Sequence, residues 1–268
     1  MPIVICDHGL IEAKIVPADC LASPGMCRRG LYETVLISGG RPTDWEVHWG
    51  RFEASCEKLG MAGERTRFRE SVERNAMTCS GRSRLRLMAY NQPVTLLGAE
   101  ATRYLAAVWS VADVTPKNTF RCTLAKSRRA SHDLLYNLKT LGLKHIDIEL
   151  SSAKVAGFDD ILFLNDRDEL CEASYANLWI VRGETIITPP VDAPCLPGIT
   201  RDQVLKLAKQ MKLEARVEPL TVQDLAAATD VFLTSSIRGV QPVTEIDDLH
   251  FRPVFSLRLV EALNLTRV

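Results

Sequence analysis

One lysine of the sequence lies inside an apolar stretch. Lys139 occurs in the segment Leu134–Leu143, which is rich in leucine. Burial lowers the pKa of an amine, and a neutral amine is a nucleophile that can form a Schiff base with a carbonyl group. The alternative is a lysine whose amine reaches solvent past its apolar stem. Lys139 is therefore a candidate nucleophile.

A carboxylate precedes a segment that reads as a buried strand. Glu172 lies five residues before Asn177, where Asn177-Leu178-Trp179 begins that strand. A buried carboxylate needs a partner, such as a protonated ring nitrogen. A carboxylate at a strand edge in water fits the same local pattern.

A glycine and a threonine mark the start of a helix. Gly198 precedes Ile199 and Thr200, and Thr200 and Gln203 have the spacing of a capping box. The N–H groups and the positive dipole end of a helix favour a bound phosphate. An ordinary loop-to-helix connection without a ligand remains the alternative.

Other groups could bind the same anion. Arg51 lies at helical spacing from His48 and could hold a phosphate through two parallel hydrogen bonds, or cover the helix edge with its stem. Ser235, Ser236 and Arg238 follow a predicted strand, where hydroxyls suit an anion or a turn. Together with Lys139, Glu172 and the helix start, these groups match the requirements of pyridoxal 5′-phosphate (PLP).

The first half of the chain predicts a small α+β unit. Strands are expected at 31–38, 84–90, 94–97 and 104–111. Helices are expected after a capping box at Thr43 and Glu46, where an apolar stripe ends at Gly60, and over 66–77.

The second half predicts a dense β region. Strands are expected at 160–164, 169–173, 177–181, 185–188, 216–220 and 231–234, and helices at 146–156, after Thr221 and at 254–263. The basic segment Lys126–Asp133 is expected to lack regular structure. Pro116-Lys117-Asn118 suggests a connection, so the expected domains are 1–113 and 121–268, joined by 114–120.

Composition excludes several functional classes. The 268 residues are 46% hydrophobic, and 33 basic residues balance 33 acidic ones, so bulk charge does not indicate a nucleic-acid or membrane partner. No apolar run is long enough to span a bilayer, and no signal peptide is visible, so a cytoplasmic protein is expected. The eight cysteines include no Cys-x-x-Cys pair, so they are expected to be buried thiols, and no metal site is expected.

Four ordered segments resemble those of the class IV aminotransferases, the fold-type IV PLP enzymes. The resemblance runs from about Tyr32 to Ile246. The segments are Tyr32-Glu33-Thr34 with His48-Trp49-Gly50-Arg51-Phe52, then Leu138-Lys139-Thr140-Leu141, then Glu172-Ala173-Ser174-Tyr175-Ala176-Asn177-Leu178-Trp179, and finally Leu196-Pro197-Gly198-Ile199-Thr200-Arg201.

The resemblance implies a fold and a set of roles. The fold is α/β (α+β), with a small α/β domain, a larger pseudo-barrel domain of the D-amino-acid-aminotransferase-like type, the cofactor between them and a homodimer completing the site. Lys139 would hold PLP as an internal aldimine and shuttle protons, and Glu172 would keep the pyridinium protonated. The phosphate would be held by Arg51, the backbone of Ile199 and Thr200, and Ser235 with Ser236.

The resemblance also suggests an activity. The chain is most similar to aminodeoxychorismate lyases in its short length and in the segment 231–243. These enzymes eliminate pyruvate and form the folate precursor 4-aminobenzoate. The alternatives are a branched-chain or D-amino-acid transaminase, which would also take a small amine or amino-acid substrate, and a catalytically silent interaction protein.

Some family features are missing. Leu36 replaces an arginine of branched-chain transaminases and many lyases, Asn91-Gln92 replaces a common Arg-Gly pair, and Lys144 replaces the tyrosine of transaminases. The set of carboxylate-binding residues that the resemblance implies is therefore incomplete, and other residues are named as candidates for substrate contacts. The candidates are Thr34, Arg86, Arg128, Arg129 and Arg238.

Overall fold

The structure, a computed structural model, describes residues 3–6, 9–11, 30–79, 81–93, 100–110, 118–141 and 144–266. Its contacts divide the chain into two compact units. The first comprises Met1–Thr115 with Leu138–Gly142, and the second comprises Pro116–Asn137 with Leu143–Val268. The expected connection at 114–120 lies largely outside the described residues. The contacts place the segment around Lys139 with the first unit.

The first unit is built on a six-stranded antiparallel sheet with the order β2-β1-β6-β5-β3-β4. Because side chains alternate between the two faces of a strand, neighbouring residues of β3 point to opposite sides. The register of β3 on β5 pairs Thr34 with Arg86. The strands are β1 (Ile3–Cys6), β2 (Gly9–Ile11), β3 (Gly30–Ser38), β4 (Arg41–Pro42), β5 (Ser83–Pro93) and β6 (Glu100–Ser110).

Two helices, α1 (Trp45–Lys58) and α2 (Arg65–Ala76), pack on this sheet. Their apolar stripes join one buried cluster with the sheet, which includes Trp49, Phe52 and Phe68. The predicted capping box at Thr43 is wrong. The Thr43 hydroxyl instead donates to the carbonyl of Leu36 at 3.1 Å, since the turn after β4 brings it back to β3. Asp44 takes the N-cap position in a left-handed conformation, with φ of 52°.

In the residues that the structure describes, the second unit contains nine strands in the order β12-β11-β10-β13-β14-β7-β8-β9, with β15 paired to β14. Strand β9 also pairs with β10 through Glu172 and Asn177, so six strands close into a barrel. The expected barrel is thereby confirmed. The strands are β7 (Phe120–Arg129), β8 (Asp160–Asn165), β9 (Leu170–Ala173), β10 (Asn177–Arg182), β11 (Thr185–Thr188), β12 (Ala215–Val217), β13 (Asp230–Ser235), β14 (Gly239–Ile246) and β15 (Leu249–His250).

Four helices accompany these strands: α3 (Lys144–Val155), α4 (Ile199–Gln210), α5 (Val222–Ala226) and α6 (Phe255–Thr266). Helix α3 packs against Ile161 and Phe163 of β8. Helices α4 and α6 cover Trp179 and Phe232, whose rings stack 5.5 Å apart. Alternate side chains of the same strands form a separate cluster that includes Leu162 and Leu233. Within the described residues, no helix is long and apolar enough to cross a membrane.

Some sequence predictions fail in this unit. The basic segment 126–133 was expected to lack regular structure, but its first part continues β7 to Arg129, because β8 pairs with Arg128 and Arg129. Strand β14 was not predicted, since Gly239 and Pro242 usually interrupt strands. The predicted strand at 94–97 lies outside the described residues.

Candidate functional site

The short segment that contains Lys139 pairs with strand β3 in the first unit. The N–H of Tyr32 donates to the carbonyl of Lys139 at 2.8 Å, and the N–H of Leu141 donates to the carbonyl of Gly30 at 2.8 Å. The Lys139 side chain is partly buried, and its Nζ lies 4.8 Å from the centroid of the Tyr32 ring. The backbone pairing therefore fixes where the Lys139 side chain begins, and the Tyr32 ring lies within cation–π distance of its amine.

A second cation shares the same ring. The guanidinium carbon of Arg86 lies 4.2 Å from the Tyr32 ring centroid, and the buried Arg86 Nε has no hydrogen-bond partner. Thr34 faces Arg86 across the β3–β5 ladder. Two cations and a hydroxyl on one face of a sheet suit an anionic ligand. The structure thus brings together three of the predicted site residues.

Arg51 is held by a carboxylate that the sequence predictions did not include as a site residue. Arg51 donates to Glu33 from Nε at 2.7 Å and from Nη2 at 2.9 Å, and His48 Nδ1 lies 2.9 Å from Glu33 Oε2. Burial alone would raise the pKa of Glu33, but the Arg51 charge and the hydrogen bonds from His48 and Arg51 lower this pKa to about 2. The sequence offered one indication of this role, because Glu33 belongs to the Tyr-Glu-Thr segment that shortly precedes the His-x-x-Arg motif containing Arg51.

Glu172 lies at the centre of a polar cluster in the second unit. Its carboxylate accepts hydrogen bonds from Arg129 Nη1 at 2.7 Å, Asn177 Nδ2 at 3.0 Å and the Leu196 N–H at 3.1 Å. Glu172 is 8% exposed, so these donors replace water. The Glu172 motif itself contains Asn177. Arg129 lay in the segment that was expected to be unstructured, so its pairing with Glu172 was missed.

Helix α4 starts earlier than the sequence predicted. Its N-cap is Gly198, because the Gly198 carbonyl already accepts a hydrogen bond from the Asp202 N–H at 3.0 Å. The predicted capping box at Thr200 is therefore wrong, and Thr200 lies buried in the first turn. Glycine has no side chain with which to cap the helix. Such a helix start offers backbone N–H groups and a positive dipole to an anion.

The remaining candidates lie outside these clusters. Arg128 pairs with Asp168 at 2.8 Å, and both side chains are exposed. Arg238 is exposed, with its guanidinium 5.0 Å from the Phe120 ring centroid. Ser235 ends β13 and Ser236 follows it, both partly buried. In the described part of the chain, no group of three or more His, Cys, Asp or Glu side chains could hold a metal ion.

Comparison with known proteins gives a family match. A model of the amino-transferase class IV family matches residues 30–246. A Methanocaldococcus jannaschii protein, named as a proposed branched-chain-amino-acid aminotransferase, is 37% identical over 129 residues. This alignment covers 47% of the chain and 44% of that relative, so it spans less than half of the relative's length.

Solved structures give a fold match. One is a Legionella pneumophila protein described as a proposed 4-amino-4-deoxychorismate lyase, with a TM-score of 0.82, 24% identity, and coverage of 95% of this chain and 97% of that one. Another is a hypothetical aminotransferase from Mycobacterium tuberculosis in a PLP-bound form, with a TM-score of 0.86, 21% identity, and coverage of 100% and 99%. These likenesses confirm the expected fold type.

Proposed function

The chain belongs to the class IV aminotransferase family of PLP-dependent enzymes, and from this premise we propose that it is a 4-amino-4-deoxychorismate lyase. The substrate would lose pyruvate and leave 4-aminobenzoate. We also propose that the working form is a homodimer, as the family resemblance implies. The substrate class, a small molecule with an amine and a carboxylate, follows from the same premise.

The observation that carries this proposal is the cluster around Glu172. A buried carboxylate is joined through the Leu196 N–H to the loop that opens helix α4. One hydrogen-bonded cluster of the second unit therefore holds a carboxylate for a ring nitrogen beside a helix start for a phosphate. There is also no room for a side chain at Gly198, because a Cβ would lie 1.8 Å from Asn177 Oδ1. These features fit PLP.

Each proposed role rests on a contact of the chain. When bound, PLP supplies an electron sink for the electron pair left by a departing proton. Lys139 would hold the cofactor through its aldehyde carbon and would act as the base that takes the ring proton of the substrate. Glu172 would hold the proton on the ring nitrogen. Thr200 and Arg51, the latter fixed by Glu33, would hold the phosphate.

We assign the substrate carboxylate to Arg86. Its Nε is buried without a hydrogen-bond partner, and its guanidinium shares the Tyr32 ring with Lys139. A carboxylate bound there would lie near the amine that moves the proton. Thr34, opposite Arg86 in the ladder, would add a hydroxyl.

A transaminase is the second candidate. It is favoured by the Methanocaldococcus jannaschii relative, whose name proposes a branched-chain aminotransferase. The lyase is favoured by Lys144, which stands where transaminases have a tyrosine.

Products separate the two candidates. We expect the purified protein with PLP to convert 4-amino-4-deoxychorismate into equal amounts of pyruvate and 4-aminobenzoate, measured by a lactate-dehydrogenase coupled assay and by fluorescence. Lys139→Ala should abolish both products. Amino-group exchange between a branched-chain amino acid and a 2-oxo acid, without pyruvate release, would establish the transaminase instead.

A test without turnover checks the role of Lys139. Borohydride treatment of the PLP-loaded protein should attach the cofactor covalently to the peptide that contains Lys139, as read by mass spectrometry. The Lys139→Ala variant is the matched control and should remain unlabelled. Labelling at another lysine would contradict the assignment, and failure of the protein to bind PLP would refute both enzymatic candidates.

A further inference from the structure

We propose that Arg129 is a positioning residue for Glu172, which it keeps ionised and aimed at the ring nitrogen of the cofactor. This inference rests on the proposed function, because that proposal assigns Glu172 to the ring nitrogen. Arg129 itself would touch neither the cofactor nor the substrate. Its effect would pass entirely through the carboxylate.

Arg129 is a buried cation with a fixed orientation. Its side chain is 3% exposed, and its guanidinium carbon lies 4.7 Å from the Tyr136 ring centroid and 4.5 Å from that of Phe163. The two rings restrict the planar guanidinium, and aromatic faces favour its charge. A buried charge must be compensated, and Glu172 lies 2.7 Å away.

The same guanidinium nitrogen joins Glu172 to the loop before α4. Arg129 Nη1 donates to Glu172 Oε1 and, at 2.9 Å, to the carbonyl of Pro194. On the other side of the carboxylate, Asn177 Nδ2 donates to Glu172 Oε2 and, at 2.8 Å, to the carbonyl of Leu196. Two donors thus bridge the carboxylate to one loop at two points. Both carboxylate oxygens are fixed relative to the start of α4.

Three other titratable groups lie close to this cluster, namely Cys171, Cys195 and Arg201. The thiols of Cys171 and Cys195 are buried, and burial raises the pKa of both, so both are neutral near pH 7. Arg201 directs its guanidinium to the carbonyl of Pro189 at 3.0 Å. Among the described residues, Arg129 is the cation whose hydrogen bond to Glu172 is observed. Without that charge, a buried carboxylate would take up a proton rather than stay ionised.

Loss of the Arg129 charge is therefore expected to impair recognition of the ring nitrogen of the cofactor. An ionised Glu172 accepts the N–H of a protonated ring nitrogen, and such a charge-assisted hydrogen bond is worth about ten-fold or more in affinity. A protonated Glu172 can only donate its O–H to an unprotonated ring nitrogen, and this neutral hydrogen bond is weaker, so most of the preference is lost. The phosphate contacts would still bind a cofactor analogue that lacks the ring nitrogen.

The test measures the affinity of the apoprotein for two probes, PLP and its 1-deaza analogue, in which carbon replaces the ring nitrogen. Equilibrium dialysis gives both dissociation constants, and their ratio is the readout. We expect wild type to prefer PLP by about ten-fold or more, Arg129→Lys to retain most of this preference because it keeps the charge, and Arg129→Gln to lose it. A general loss of folding would weaken the binding of both probes alike and leave the ratio of the two dissociation constants unchanged.

Two controls make the outcome decisive. Arg121→Met removes an arginine from the same strand, one whose exposed ion pair is with Glu245, and should keep the wild-type ratio. Glu172→Gln should abolish the preference. If wild type and Glu172→Gln both lack the preference, the assigned role of Glu172 fails. A different result overturns only the inference about Arg129. In that result, wild type shows the preference and Glu172→Gln lacks it, but Arg129→Gln retains it.

Discussion

Two buried carboxylates, Glu33 and Glu172, each meet an arginine. Glu33 pairs with Arg51, and Glu172 pairs with Arg129. Removing one partner of a buried pair leaves an uncompensated charge, whereas exposed pairs contribute little. At the scale of single residues, replacing one member of such a pair by a neutral residue of similar shape therefore tests the role of its charge most directly.

Glu172→Gln should reduce kcat by about a hundred-fold or more, because the ring nitrogen loses the negative charge that keeps it protonated. The protein should still be labelled with PLP by borohydride, since Lys139 is intact. Steady-state kinetics of pyruvate release measure the effect. Glu169→Gln, on the same hairpin, is the control and should retain wild-type turnover. Undiminished kcat in Glu172→Gln would refute the proposed role.

Arg86→Met should mainly affect substrate binding. We expect KM to rise about 10- to 100-fold with a smaller change in kcat, because a charge-assisted hydrogen bond to the substrate carboxylate is lost. Initial rates over a range of substrate concentrations separate the two parameters. Arg82→Met removes an exposed arginine just before the same strand and should leave KM unchanged. An unchanged KM in Arg86→Met would place the carboxylate elsewhere.

At the scale of elements, the start of α4 depends on its neighbour β10. Asn177 opens β10, and its side chain occupies the space beside Gly198. The helix can begin there because residue 198 has no Cβ. The same side chain donates a hydrogen bond to Glu172. The side-chain amide of Asn177 therefore links the start of β10, the start of α4 and the Glu172 carboxylate.

Gly198→Ala should displace Asn177, since the new Cβ would lie 1.8 Å from Asn177 Oδ1 and 3.0 Å from its Cγ. We expect PLP affinity, measured by equilibrium dialysis, to fall about ten-fold or more as the hydrogen bonds to Glu172 and Leu196 are lost. Gly50→Ala in α1 meets no atom within 4 Å. It should keep the affinity and raise the free energy of unfolding by about 0.5–1 kcal/mol. Equal affinity in the two variants would contradict this account.

At the scale of the whole molecule, basic and acidic residues balance at 33 each, so the formal net charge is zero at pH 7 and becomes positive as carboxylates take up protons in acid. The dependence of stability on pH comes from the groups whose pKa changes on folding. Glu33 is the clearest case in the described part of the chain, with a pKa of about 2 against an ordinary value of 4.5.

Because the folded-state pKa of Glu33 is depressed, its stabilising contribution is complete above about pH 4.5 and is lost as the pH falls toward 2. Between pH 6 and pH 3, wild type should lose about 2 kcal/mol of unfolding free energy that Glu33→Gln does not lose. Urea denaturation at both pH values measures this difference. Glu70→Gln, at an exposed position of α2, should behave as wild type. Equal losses in wild type and Glu33→Gln would refute the assignment.

Local patterns predicted the elements that depend on local chemistry. The apolar stripe of α1 and the hairpin of β10 and β11 follow from periodicity and turn residues. The short helix predicted after Thr221, with Thr221 as its cap, is confirmed as α5, where the Thr221 hydroxyl accepts from the Asp224 N–H. By contrast, Thr43 and Thr200 have the same spacing and do not cap their helices, because tertiary contacts set where those helices begin.

The site was only partly predictable for the same reason. Lys139 and Glu172 were proposed from their motifs, but Arg129 meets Glu172 across 43 residues of sequence, from β7 to β9 with β8 between them. No local pattern encodes such a pairing. Likewise, strand β14 forms despite Gly239 and Pro242, because β13 and β7 pair with it on both sides.

The close approach of Asn177 and Gly198 also limits how this protein can evolve. A side chain at position 198 becomes tolerable only after Asn177 is shortened, but shortening Asn177 gives up hydrogen bonds to Glu172 and Leu196. Either first step would therefore weaken the proposed cofactor site, and the two substitutions are expected to be strongly non-additive. A lineage that abandons this pair must cross a fitness valley, so the two positions are expected to change together or not at all.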